Sequence, residues 1–397
     1  FSQGEKILKY KIKNSTGTEK FDYIQDLLLL YKQRRQNFES KTPLGAYLAK
    51  AAKLKYDHRE ILKISNLDLY NFFDNAFKID LNSFNNPVDL LTYFKLSVKL
   101  FDEKVKSPED LFTKYDEISE KIESEVENYT KKINKFLPEN DSDSVNLSKK
   151  EAQKIRSYNS YLKGYDQVLK GMDISLGIRA NCENLVLLYE KNYDENKNDA
   201  IWLQRAMNRL ANKDCLDTPI FVTILQQKNN LDPNPDTSYY LGIIKDKEGN
   251  SDQALDYYNQ AIDLETDGYK KAKILFKIAT KFKKSGSFSK ARSYYRKALS
   301  FNPSMGKCYI AIAQMYASSA KNCGSDNFSQ RAVYWLASME VLKAAKVDGN
   351  LKKVANSTSK NYLSKAPQKS EIFSSGREGE LIKIGCWIGG SIKVPSL

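Results

Sequence analysis

The residues best able to do chemistry in this sequence are its five cysteines, Cys182, Cys215, Cys308, Cys323 and Cys386, and its single histidine, His58. A structural zinc site needs four closely grouped Cys or His ligands, and no C-x-x-C occurs, so no structural metal is expected. Disulfide chemistry suits the placements better. Cys182 stands at the head of one expected helix and Cys215 at the tail of the next but one, each beside polar residues (Asn181, Lys213, Asp214). Cys323 lies in a polar insertion, Asn322-Cys323-Gly324-Ser325, and Cys386 in a short β-like tail. Pairing Cys182 with Cys215 and Cys323 with Cys386 would imply an oxidising compartment. Five reduced thiols in a cytoplasm are the alternative. Cys308 falls inside a helix where a small apolar residue would serve, and it reads as a buried free thiol.

Other chemistry finds little purchase. His58 sits among charges in Lys55-Tyr56-Asp57-His58-Arg59 and reads as a solvated helix-end histidine rather than a catalytic base. No G-x-S-x-G, G-x-x-x-x-G-K-[ST] or G-x-G-x-x-G occurs, and Gly376, Gly379 and Gly385 lack the following helix that would cradle a phosphate. The carboxylates lie on mixed-charge helix faces, with no pair in an apolar setting. The sequence therefore points to a non-enzymatic protein with no cofactor.

The elements that must position these residues are helices. Pro and Gly are scarce, at 10 and 18 of 397 residues. Apolar residues recur at i, i+3, i+4 and i+7 over Tyr23 to Tyr31, Leu67 to Phe77, Val88 to Phe101, Leu111 to Ile122 and Ile201 to Leu210. The stretch Pro138 to Asn146 is the most loop-like internal segment, expected to join long helices over Leu111 to Phe136 and Ser148 to Leu169. No apolar run, Leu27 to Leu30 included, approaches the 18 or so residues a membrane span needs. Lys+Arg of 63 against Asp+Glu of 49 leaves a formal net charge of +14, spread over mixed-sign helix faces.

A repeat emerges toward the C-terminal half. Gly249 aligns with Gly286, Ala254 with Ala291, Tyr258 with Tyr295 and Ala261 with Ala298, all at an offset of 37, and Leu241 with Ile278 and Gly242 with Ala279 keep it. Small residues at Gly242, Ala279, Ala313, Ala254, Ala291, Ala261 and Ala298 would let paired helices approach closely. Leu241, Tyr258, Ile278, Phe282, Tyr295, Ile312 and Tyr316 would fill the space between units. This resembles the tetratricopeptide repeat family, whose units of about 34 residues are helical hairpins. Two clear units, 235–268 and 272–305, match it; a third begins at Gly306, is interrupted near Cys323 and resumes at Arg331. Trp202 and Ala206 sit as in a degenerate helix A, and Tyr70 to Phe77 followed by Pro87 as in the end of another unit.

The resulting expectation is an all-α, tetratricopeptide-like solenoid of helical hairpins with a small C-terminal β-hairpin. Its segments are degenerate repeats over 1–137, a long helical hairpin and a degenerate repeat over 138–234, clear units over 235–348, and a C-terminal helix and hairpin over 349–397. Glu380 to Val394 alternates β-branched residues around Gly389-Gly390 and predicts a hairpin with a tight turn there. In the clear units the groove-facing positions would be Tyr239, Ile243, Asp246, Phe276, Thr280 and Lys283, unless these side chains simply pack within the stack. The family's carboxylate-clamping Lys and Asn are replaced by Tyr239 and Ile243, so a free carboxyl terminus is not the expected ligand.

From GEKILKYKIKN near the start to the Cys-Trp-Ile tail, the chain is also similar to secreted tetratricopeptide-repeat proteins of Bacteroidetes-type bacteria. That resemblance implies a signal peptide and part of a first repeat before Phe1, and a periplasmic, outer-membrane-associated location. It further implies a scaffold role among other proteins of a cell-envelope complex, and an O-glycosylation site of the Asp-Ser/Thr-aliphatic kind at Ser144 in Asp143-Ser144-Val145. The alternative function is a module binding an anionic polymer, cell-wall glycan or nucleic acid, through the basic surface.

Overall fold

The computed structural model describes residues 1–137 and 147–396, and they form helices almost throughout. Two compact units are present: residues 1–128 with 160–181, and residues 129–159 with 182–397. This is a division by compactness, whereas the segments expected from sequence divide the chain by repeat quality.

The first unit holds α1 (Ser2–Asn14), α2 (Gly17–Asn37), α3 (Leu44–Asp57), the single turn α4 (Arg59–Leu62), α5 (Asn66–Ile79) and α6 (Pro87–Asp102). The long helices α7 (Pro108–Asn134) and α8 (Lys149–Leu176) each belong in part to both units. Local chemistry sets the boundaries. Ser65 caps α5 by accepting from the Asp68 N–H at 3.1 Å, and Asn86 with Pro87 behind it opens α6. The core centres on rings: Phe77 and Phe84 meet edge-on at 5.5 Å, and Phe73 stacks on Tyr93 at 6.1 Å. Asp74 accepts from the buried Tyr93 hydroxyl and from Lys114 at 3.1 Å, which satisfies a charge that this apolar setting would otherwise penalise. Helix α8 passes close to α6, since a Cβ on Gly171 would lie 3.0 Å from Leu91 and one on Gly164 2.9 Å from Pro87.

The second unit continues with α9 (Cys182–Asn196), α10 (Ala200–Asn212), α11 (Pro219–Leu231), α12 (Pro235–Lys247), α13 (Ser251–Leu264), α14 (Gly268–Lys284), α15 (Phe288–Phe301), α16 (Lys307–Ser319), α17 (Asn327–Val347), α18 (Lys352–Lys365) and α19 (Lys369–Ser375). The repeat reads out as hairpins. α12 pairs with α13, α14 with α15 and α16 with α17, while α13 and α15 also touch the hairpin that follows. The turns fall on Gly249 (φ +83°) and Gly286 (φ +76°), where any side chain would be strained. Gly242 is required for a different reason, because a Cβ there would lie 2.6 Å from the Tyr258 ring and 3.1 Å from the Ala254 carbonyl. Ala261, Ala279, Ala291, Ala298 and Ala313 are fully buried, the last four in one core cluster with Tyr295 and Ile312.

Helix boundaries shift modestly from the sequence reading. α14 starts at Gly268 rather than at 272, because Asp267 caps it by accepting from the Lys270 N–H at 3.0 Å. α17 starts at Asn327 rather than Arg331, because Asp326 caps it through the Ser329 N–H at 2.6 Å.

The tail differs from the expected tight hairpin. Strands β1 (Leu381–Lys383) and β2 (Ser391–Lys393) pair antiparallel with Ile382 opposite Ile392. Residues 384–390 form a longer loop between them, with Gly389 and Gly390 only its end. The loop is long because it must reach the helices. Trp387 packs against Phe288 and Tyr316 at 5.5 Å and donates to the Ser319 hydroxyl at 2.9 Å. Arg292 donates to the Trp387 carbonyl at 3.1 Å and the Ile388 carbonyl at 2.6 Å. Two three-residue strands could not hold together alone, and this anchorage supplies what they lack.

Candidate interaction surface

Helices α12 and α14 carry the positions expected to face a groove, and neighbouring helices already engage most of them. Tyr239 and Ile243 are buried, at 9% and 8% exposure. The Tyr239 ring packs on Tyr240 at 5.2 Å and Tyr258 at 5.9 Å, and burial followed by the Asp236 charge pushes its phenol up to about 12. Asp246 pairs with Lys281 of α14 at 2.9 Å. Phe276 meets Tyr295 at 5.4 Å, and the Thr280 hydroxyl donates to the Phe276 carbonyl at 2.8 Å and lies 3.0 Å from the Tyr295 hydroxyl. Lys283 donates to Gln314 of α16, and burial lowers its ammonium below the usual lysine range. Lys277 adds a cation over the Tyr239 ring at 5.1 Å. Asp246 with Lys281, Lys277 with Tyr239 and Lys283 with Gln314 thus join successive first helices, whereas Tyr239, Phe276 and Thr280 also pack on the second helix of their own hairpin. What remains for a ligand is the rim they form, with Tyr239 and Ile243 spent on packing.

The cysteines fall as paired from sequence. Cys182 opens α9 and Cys215 follows α10, the next helix rather than the next but one, with their sulfurs 2.28 Å apart. Cys323 and Cys386 join the α16–α17 insertion to the tail loop at 2.07 Å. Cys308 is a buried free cysteine whose thiol burial pushes up to about 12, so it is a poor nucleophile. His58 ends α3 partly buried, and burial together with Lys20 lowers its imidazole below the ordinary value. Among the described residues no three His, Cys, Asp or Glu side chains gather as metal ligands, and no helix is long and apolar enough to cross a membrane. Ser144 lies outside the described residues.

Sequence reasoning missed a cleft in the first unit. It has a volume of about 390 Å³ and is walled by Leu28, Leu29 and Lys32 of α2, Tyr47, Leu48 and Lys55 of α3, and Phe72 of α5. The signal that could have found it is the run Leu27 to Leu30, which is too wide for the single apolar stripe of a one-sided helix.

Stacked helical hairpins with small residues at the crossings and glycine at the turns make this an all-α array of the tetratricopeptide type. Its relatives are consistent with that class. The chain is 32% identical over 107 residues to the photosystem I assembly protein Ycf3 of Cyanophora paradoxa, and 33% identical over 107 residues to that of Cuscuta gronovii. These stretches are 25% of this chain and 62% and 64% of those proteins, so the chain spans less than two thirds of either relative. No protein-family profile matches the chain. Among solved structures, the human IFIT1 dimer with PPP-AAAA aligns over 87% of this chain and 71% of its own, at 14% identity and a TM-score of 0.35. Yeast Tom70 aligns over 94% and 99%, at 12% identity and a TM-score of 0.33.

Proposed function

We propose that the chain is a non-enzymatic protein-interaction scaffold of a bacterial cell-envelope assembly, working in the periplasm in association with the outer membrane and akin to the secreted tetratricopeptide-repeat proteins of Bacteroidetes-type bacteria. The observation that carries the scaffold reading is the succession of hairpins from α12 to α17, cross-linked between first helices by Lys281 to Asp246 and Lys283 to Gln314. Such a stack holds its surface rigid, which lowers the ordering cost of binding another protein. The relatives named for photosystem I assembly favour an assembly role. The envelope location is supported by the Cys182–Cys215 and Cys323–Cys386 pairs, which persist best in an oxidising compartment.

The compartment is tested by blocking thiols in intact cells, then mapping the cysteines by mass spectrometry without reductant. The proposal expects Cys182, Cys215, Cys323 and Cys386 unblocked and linked. Blocked thiols at all four would reject an oxidising location and leave the scaffold without its envelope setting.

A further inference from the structure

Helix α2 carries two apolar stripes where a hairpin needs one. Ile24, Leu27 and Tyr31 enter the core with Ile12 and Leu54. Leu29 lines the cleft on another face and Leu28, which also packs at the margin of that core, lines it too, with Gln25 and Lys32 continuing the stripe at i, i+3, i+4 and i+7. Across from them stand Tyr47, Leu48 and Lys55 of α3, and Phe72 of α5 closes the end. Leu29 is 53% exposed and Phe72 37%, so large apolar side chains are left in water where packing does not require it.

The charges in the cleft are one-sided. No Asp or Glu lines it, and neither Lys32 nor Lys55 forms an ion pair among the described residues. The Lys55 ammonium rests 3.5 Å from the Phe72 ring centroid, and burial lowers it below the usual lysine range. An incoming carboxylate would meet two cations without displacing an existing acid. The α2 stripe runs about 10 Å, roughly two helical turns. An open trough between helix faces, apolar along its floor, matches the way amphipathic helices are held in grooves.

We propose that the cleft between α2, α3 and α5 docks an acidic amphipathic helix of a partner protein, its apolar side chains against Leu28, Leu29, Leu48 and Phe72 and a carboxylate between Lys32 and Lys55. This rests on the scaffold reading only in taking a protein as the occupant.

The test uses the full chain and a fluorescein-labelled 16-residue peptide with Leu and Phe at i, i+3, i+4 and i+7 and flanking Glu, read by anisotropy. A second peptide carries Lys in place of each Glu. The acidic peptide should bind at least about tenfold more tightly than the basic one. Leu29→Asp and Lys32→Glu, both at exposed positions, should each weaken it by about tenfold or more while the helical circular dichroism stays unchanged. Equal binding of the two peptides, or no effect of either substitution, overturns the proposal, as would binding of laurate or phosphatidylglycerol vesicles with no binding of the acidic peptide. Co-purification of cellular proteins by the wild-type chain separates the two readings. Partners retained while the peptide fails would reject the cleft alone, and peptide binding with no cellular partner would count against the scaffold alone.

Discussion

Asp89 offers a sharp test of how the first unit is built. It lies in the first turn of α6, is 6% exposed, and forms no ion pair among the described residues. Burial pushes its carboxyl from 3.8 up to about 7, the nearby charges being Lys53 and Lys50, which oppose the rise, and Asp57, which adds to it. The folded state therefore holds this proton more tightly than the unfolded chain does. The associated stability is fully present below about pH 4 and is lost as pH rises through about 7. At 1.36 kcal/mol per pH unit, a gap of about three units is about 4 kcal/mol. Asp89→Asn removes the titration. Urea unfolding of the full chain, followed by circular dichroism at intervals from pH 4 to pH 8, gives the difference between variant and wild type at each pH. That difference cancels groups common to both, including His58, whose lowered value acts in the opposite sense by favouring the folded state at higher pH. Asp89→Asn should gain on the wild type by up to about 4 kcal/mol across this range. A difference that stays flat, or that shrinks with rising pH, would refute the reasoning.

Other consequences can be checked in the second unit. Gly242→Ala should cost about 1–3 kcal/mol by forcing Tyr258 away, whereas Gly268→Ala, whose Cβ meets nothing closer than 3.8 Å, should be nearly neutral in denaturant melts. Reducing the Cys323–Cys386 link, which spans 63 residues, should remove about 4 kcal/mol by the chain-entropy estimate, read as a lower thermal midpoint of this unit. Arg292→Met should free the tail loop from its two carbonyl anchors, red-shifting Trp387 fluorescence and speeding amide exchange over 381–393, with α12 to α15 unchanged. Native-state alkylation should leave Cys308 unmodified until the unit unfolds, since its thiol is buried and held at about 12.

Much of this architecture was legible because helical packing writes itself into residue size. The offset of 37 between Gly249 and Gly286 located both turns, and the alanines named both crossings. The cysteine pairs could be proposed because Cys182, Cys215 and Cys323 sat beside polar residues and Cys386 in a tail that needed a tertiary partner, whereas Cys308 sat inside a repeat helix. The tail was misread in its turn, because Gly389-Gly390 looks the same in sequence whether it closes a tight hairpin or ends a loop that carries Trp387 between Phe288 and Tyr316. The groove positions stayed open for a similar reason, because a Tyr on a first helix fits a ligand surface and an inter-helix contact equally well, and the structure buries Tyr239 and Ile243. The α2–α3–α5 cleft was hidden because its walls come from three helices whose relation follows only from the tertiary fold. Asp89 was invisible for the same reason, since an acid in a first helical turn ordinarily marks a solvated helix start.

The central claim is that this array holds other proteins. Its most direct test is purification of the tagged chain from envelope fractions after mild detergent extraction, with retained proteins identified by mass spectrometry after washes at about 0.15 M and about 0.5 M salt. The scaffold account predicts a stoichiometric protein partner at both salt concentrations, because contacts built on packing survive charge screening. A chain that elutes alone, or that retains only glycan or nucleic acid lost steeply with salt, would contradict it.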